Sequence, residues 1–297
     1  MALPIAKHLP KLSLADGPLL VFGGPYSNLA ATEALRRIAG ERAIPPERVI
    51  CTGDVVAYCA EPEETAAAIE DWGIHVVQGN CEAQLAGDAE DCGCGFEDGT
   101  ECDRLARGWY PFARARVSQP LKDWMGAMPA ALAFTLSGAR VRVIHGGVSE
   151  TARFLFASDP KPVKAAELAQ AGAELVIAGH CGIPFIERIG PGRVWFNPGV
   201  IGMPANDGTP DGWYGLIEHD RAGAVRLSTH RLDYDARAAA AAMRRKGHAN
   251  EYARSLVTGL WPSMDILPAA ERASQGKRLR ETALVIETSE TAAPVRR

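Results

Sequence analysis

Short apolar runs alternate with amphipathic stretches through the first third of the chain. Residues 19–22, 49–52 and 74–77 are apolar runs of strand length, while 28–38 and 62–72 show helical patterning. Leu29, Leu35 and Ile38 fall on one helical face, and Pro62 suits the first turn of the second helix. This strand–helix alternation predicts a layered α/β fold. The pattern changes at 87–103, which is rich in Gly, Asp and Cys, has no period and reads as a loop. Residues 104–117 and 120–128 read as helices. Residues 131–136 and 140–144 flank Ser137 and Gly138 as a hairpin. A helix at 162–171 precedes the apolar run 175–178, and 185–189 and 193–196 flank the turn Gly190, Pro191, Gly192.

Closing strands are expected at 213–218 and 224–229, and helices at 235–246 and 251–258. The late hairpins predict a second sheet facing the first. Beyond Pro268 the chain is charged and weakly apolar, the signature of a mobile tail. The expected division is an N-terminal extension at 1–17, a main domain at 18–232, helices packed on it at 233–268, and a tail at 269–297.

Composition narrows the function classes. The chain has 297 residues, 47% of them hydrophobic, enough for a sizeable core. Its net charge of −4 argues against a nucleic-acid binder, which needs concentrated Lys and Arg. No apolar run approaches the length that crosses a bilayer. Pro4, Lys7, His8, Pro10 and Lys11 interrupt any signal-peptide segment, so a reducing, cytoplasmic location is expected. The seven cysteines then read as thiols or ligands before disulfides.

Four apolar runs end in a polar residue beside glycine: Gly53 and Asp54, Gly79 and Asn80, His145 and Gly146, Gly179 and His180. A carboxylate, an amide and two imidazoles at strand ends suit a divalent or transition-metal ion, and glycine there permits close approach. Cys92, Cys94 and Cys102 crowd the loop that follows Cys81, and Cys181 follows His180. Such a density of sulfur can bind zinc or iron, but paired C-x₂-C spacing is absent, so added ligands, a separate structural site and plain thiols all stay open. Tyr26 is a further candidate, as a phenolate ligand to ferric iron or as a hydrogen-bonding group at the pocket rim. Arg142 and Arg153 are the nearest cations in sequence for a phosphate.

The order of these motifs, with Asn197, Pro198 and Gly199 after them, resembles the calcineurin-like metallophosphoesterases over about residues 19–259. The resemblance implies a four-layer αββα sandwich, with two facing mixed sheets and helices outside. It also implies metal-activated water acting on a phosphate mono- or diester of a small molecule. The family holds two ions. Asp54, Asn80, His145 and His180 match the ligands of one. Gly24, Tyr26 and Gly182 stand where an Asp and two His would hold the other. One divalent ion (manganese, iron, zinc or nickel) is therefore expected. The family's third-motif His, associated with the substrate phosphate and leaving group, is replaced by Cys81. The resemblance thus assigns catalysis to Asp54, His145 and Cys81. A non-hydrolytic metal or phospholigand sensor is the alternative reading, and a thiol or metal redox protein the third.

Overall fold

The computed structural model describes residues 10–13, 17–219, 224–248 and 250–286. Residues 1–9 of the expected extension and 287–297 of the expected tail lie outside the described residues. The chain runs β1 (Leu19–Phe22), α1 (Leu29–Glu41), β2 (Val49–Cys51), α2 (Pro62–Trp72), β3 (His75–Val76) and α3 (Asn80–Ala86). It continues through α4 (Glu101–Arg114), α5 (Gln119–Ala127), β4 (Ala131–Leu136), β5 (Ala139–Ile144), α6 (Lys161–Ala171) and β6 (Leu175–Ile177). Then come β7 (Phe185–Gly190), β8 (Arg193–Asn197), β9 (Gly212–His219), β10 (Val225–Leu232), α7 (Ala236–Arg245), α8 (Glu251–Thr258), α9 (Ala269–Arg272) and β11 (Ala283–Ile286).

Two mixed sheets face each other. One has the strand order β11-β10-β9-β1-β2-β3, the other β4-β5-β6-β8-β7. Side chains alternate across each strand, and β1 shows the division plainly. Leu19 and Val21 enter the core between the sheets, where they meet Phe134, Val143, Ile177 and Phe196. Leu20 and Phe22 point the other way, into the core shared with α1, α2, α4 and the C-terminal helices. On the far face of the second sheet, Val176 and Trp195 pack with Leu168 of α6. The result is the expected four-layer αββα sandwich. Each large apolar side chain buried between layers contributes about 1.5–3 kcal/mol.

Helix starts follow local chemistry. Asn28 caps α1 by accepting from the Ala31 N–H at 3.2 Å. Thr100 caps α4 by accepting from the Asp103 N–H at 3.3 Å, so the cysteine-rich loop ends three residues earlier than its composition suggests. The segment beyond Pro268 also departs from expectation. Among the described residues it carries α9, and β11 pairs antiparallel with β10 from Val225↔Ile286 to Ser228↔Ala283. Arg231 anchors the approach to β11. Its Nη2 donates to the Leu279 carbonyl and to Asp207, and Asp207 accepts from the Leu279 N–H at 3.0 Å. A four-residue strand after a charged stretch leaves little periodic signal, and its partner is distant in sequence. Among the described residues no helix is long and apolar enough to cross a membrane.

The inter-sheet core carries a direct test. Phe134 is 6% exposed within it and lies on β4, whose neighbours are β5 and the sheet face. Phe134→Ala is expected to lower the unfolding free energy by about 3–5 kcal/mol. Urea denaturation reads this; a loss under about 1 kcal/mol would mean that the sheets do not pack there as described.

Candidate metal centre

Strand direction assembles the site. β1, β2 and β3 run parallel in one sheet, and β5, β6 and β8 run parallel in the other. Their carboxyl ends therefore open on a common edge, the usual place for a site in such sheets. Asp54 follows β2, Asn80 opens α3 after β3, His145 follows β5, and His180 follows β6. All four are buried, from 2% exposed for His145 to 7% for His180.

The four side chains converge. His145 Nε2 lies 3.0 Å from Asn80 Oδ1, 3.0 Å from His180 Nδ1 and 3.3 Å from Asp54 Oδ2. His180 Nδ1 lies 3.8 Å from Asp54 Oδ2. Ligand atoms of Asp54, His145 and His180 all fall within 4.8 Å of one another. Among the described residues no other group of three His, Cys, Asp or Glu meets so closely.

Hydrogen bonds at the rear determine what each group presents. His145 Nδ1 lies 2.7 Å from the Thr52 carbonyl. A carbonyl only accepts, so Nδ1 carries the hydrogen, and Nε2 of the neutral ring faces the site as a lone pair. Asn80 Nδ2 donates to the Cys92 carbonyl at 2.8 Å, which turns Oδ1 inward. Lone pairs of nitrogen and oxygen thus meet at 3.0 Å, an arrangement that is favourable only with a proton or a metal ion between them. The titration behaviour agrees. Burial lowers the pKa of His145, but the charge of Asp54 and the Thr52 carbonyl raise it further, and the net direction is upward. Burial raises the Asp54 carboxyl, yet the two imidazoles pull it well below the usual range. Burial and the neighbouring charge of His145 lower His180 despite Asp54. The set thus fits a divalent ion bound by one carboxylate, one amide oxygen and two imidazoles.

The backbone is held in costly shapes to achieve this. Asp54 (φ 58°) and His180 (φ 61°) both sit in the left-handed region. Such residues cluster where function demands them, at about 1–3 kcal/mol each. A Cβ on Gly79 would lie 2.5 Å from Asp54 Oδ1, which explains why that strand end carries glycine.

Glu82 went unnoticed in the motif pattern and proves central. Its side chain is fully buried. Oε2 accepts from the N–H groups of Asp54 (2.8 Å) and Gly79 (2.9 Å), and Oε1 from Val55 (2.8 Å). One carboxylate therefore clamps the Asp54 turn to the start of α3, where Asn80 stands. The three-residue spacing from Gly79 to Glu82, which lets an N3 acid reach back to the N-cap N–H, was the available signal.

The remaining candidates separate. Tyr26 lies on the pocket side, next to Gly24. A Cβ on Gly24 would meet the Tyr26 ring at 2.5 Å, and one on Gly182 would lie 3.2 Å from the Trp261 ring. Aromatic rings thus fill the space beside two of the replaced ligand positions. Cys81, Cys92 and Cys94 gather on the amide-nitrogen side of Asn80. Asn80 Nδ2 lies 3.5 Å from Cys81 Sγ and 3.3 Å from Cys94 Sγ, and Cys92 and Cys94 sulfurs are 2.7 Å apart. The loop does fold over the site, but its sulfurs back Asn80 and complete no second cluster with the triad. Cys181 accepts from Asn197 Nδ2 at 3.1 Å, and Asn197 also donates to the Gly179 carbonyl at 2.9 Å, supporting the His180 turn from outside.

Cys81 does not fit the leaving-group role expected of it. It is fully buried in the helical core and does not line the pocket. A hydrogen bond with Cys94 lowers its pKa, but burial and the charges of Asp54 and Glu82 outweigh this and hold the thiol well above its ordinary range. Neither candidate arginine lines the pocket beside His180. Arg153 Nη1 pairs with Glu167 at 2.6 Å, and Arg142 Nη2 donates to the Ala171 carbonyl at the end of α6.

Beside His180 a cavity of about 60 Å³ is walled by Tyr26, Tyr58, Phe96, Phe154, Tyr252 and Trp261. The Phe154 ring packs on His180 with centroids 4.1 Å apart, and Phe96 stacks on Phe154 at 6.3 Å.

Comparison with known proteins agrees with this architecture. Residues 27–221 match the family model of the calcineurin-like phosphoesterase superfamily domain. A metallophosphoesterase from Sphaerobacter thermophilus superposes with a TM-score of 0.65 at 19% identity, over 83% of this chain and 100% of that one. A hypothetical protein from Pyrococcus horikoshii superposes with a TM-score of 0.67 at 16% identity, over 82% of this chain and 98% of that one. Both likenesses are of fold. No curated protein matches the sequence.

The Glu82 clamp is open to measurement. Glu82→Gln leaves one backbone N–H facing an amide NH₂ and is expected to weaken manganese binding about 10–100-fold. Titration calorimetry reads the affinity, and an unchanged value would remove Glu82 from the support of the site.

Proposed function

The chain belongs to the calcineurin-like phosphoesterase superfamily, and from that premise we propose that it hydrolyses phosphate esters with one divalent ion rather than two. The observation that carries the proposal is the lone pair of His145 Nε2, fixed by Thr52, opposite Asn80 Oδ1 and Asp54 Oδ2. Asp54, Asn80, His145 and His180 would hold the ion, which could be manganese, iron, zinc or nickel. When bound, it would supply positive charge for a phosphate oxygen and acidify a water near neutral pH.

The chain's own groups set the rest. Thr52 and the Cys92 carbonyl orient His145 and Asn80, and Glu82 holds the Asp54 turn in place. Asp54 offers a carboxylate whose low pKa keeps it charged at neutral pH. Burial of all four groups excludes bulk water and strengthens each charge interaction. In the overall reaction water adds its oxygen to phosphorus, the ester P–O bond breaks, and the proton reaches the departing alcohol oxygen. The Tyr26 and Trp261 rings beside Gly24 and Gly182 support one ion in place of two. The substrate class we favour is a small phosphorylated molecule met in the cytoplasm, with no role for nucleic acid or membrane.

A non-hydrolytic sensor is the second reading, favoured by the buried Cys81 and by the lack of Lys or Arg among the residues lining the pocket. A thiol redox role is disfavoured by burial. All seven cysteines are buried, and Cys92, the start of the densest cluster, has its thiol held far above its ordinary pKa by Cys94 and by burial.

Nitrophenyl phosphate mono- and diesters assayed with each of the four metals separate the readings. Turnover is expected with at least one metal, and Asp54→Ala and His180→Ala are each expected to lose both metal stoichiometry and turnover. Full turnover in either variant would overturn the ligand assignment. Metal binding without any turnover would favour the sensor.

A further inference from the structure

The pocket beside His180 holds a polar group that the metal centre does not use. Tyr26 is 4% exposed and lines this pocket. Its ring lies over Gly24, within 2.5 Å of where a side chain there would begin. The phenol thus occupies the side of the site that has lost its metal ligands. A tyrosine hydroxyl is protonated at neutral pH and so is a hydrogen-bond donor.

The walls are aromatic. Phe96 and Phe154 stack on one side, continuing onto the His180 ring. Tyr58 packs edge-on to Tyr26 at 4.7 Å and stacks on Tyr252 at 4.5 Å on the other. Among the described residues no lysine or arginine lines the pocket. One bound divalent ion and one neutral donor balance a single phosphate charge better than two. Flat apolar walls accept a flat apolar group through stacking and burial.

We propose that the Tyr26 hydroxyl stands in for the missing second cation as a donor to a non-bridging phosphate oxygen, and that the pocket selects a singly charged phosphodiester with an aromatic ester group. This rests on the phosphoesterase reading above. Tyr26 is then a catalytic residue, and Phe96 and Phe154 determine specificity.

Three comparisons test it on the metal-loaded full chain. Wild type should prefer bis-nitrophenyl phosphate to ethyl nitrophenyl phosphate, which shares its leaving group, and to nitrophenyl phosphate, which carries the second charge. Tyr26→Phe should lower kcat/KM for the diester about 100-fold with metal stoichiometry and melting temperature unchanged. Phe96→Ala should raise KM for the bis-aryl diester about 3–10-fold and leave the ethyl ester unaffected. Calorimetric binding of diphenyl phosphate gives a readout independent of turnover, and Tyr26→Phe should weaken it at least about tenfold. Wild-type rates in Tyr26→Phe, or equal use of aryl and ethyl diesters, would overturn the inference and leave the phosphoesterase reading standing. If wild type turns over no ester with any metal, that reading fails instead. Binding of diphenyl phosphate then decides: loss in Tyr26→Phe supports the donor and pocket, and equal binding refutes them.

Discussion

An imidazole nitrogen with a bare lone pair rests favourably 3.0 Å from an amide oxygen and 3.3 Å from a carboxylate oxygen only with a proton or a metal ion among them. The Thr52 carbonyl imposes this on His145 by taking the hydrogen of Nδ1. Everything else in the site serves that crowding. The Cys92 carbonyl fixes the Asn80 amide, and Asp54 brings a negative charge that a neutral cluster would not tolerate. The arrangement is stable in proportion to how firmly its surroundings prevent the four groups from moving apart.

The firmness comes from layered packing. The inter-sheet core holds β2 and β5 at a set separation, and both strands end at the same edge. Glu82 then joins the turn after β2 to the start of α3 through backbone N–H groups rather than side chains. Charge-assisted bonds to backbone are short and directional, so they transmit the rigidity of the sheet to the ligand turns. A carboxylate in such a place costs desolvation, and the three donors offset only part of that cost: burial and the charge of Asp54 push the Glu82 pKa up to about 7.

Much of this was legible in the chain. Asp54, Asn80, His145 and His180 each end an apolar run beside glycine, and parallel strands deliver such ends to one edge. The two sheets and most helix positions follow from apolar period. What escaped depends on contacts distant in sequence. Glu82 looks like an ordinary first-turn acid until its N–H partners 27 and 28 residues away are known. β11 is four residues long, and only pairing with β10 makes it a strand. Arg142 and Arg153 lie near the motifs in sequence, but sequence proximity says nothing of which face of β5 or which side of α6 a side chain meets. The sequence left the role of the cysteine loop open; its sulfurs lie behind Asn80, a distinction that only three-dimensional placement makes.

The left-handed backbone at residues 54 and 180 has an evolutionary reach. Few side chains tolerate that conformation; asparagine, aspartate and histidine do so far better than branched or bulky ones. Those same three types are also among the better donors to a hard or borderline cation. Single-step drift at either position is therefore steered toward residues that still bind an ion. A lineage carrying these two turns can exchange among them and keep an ion, or place glycine there, which keeps the turn and gives up the ligand, as Gly182 at φ 75° does.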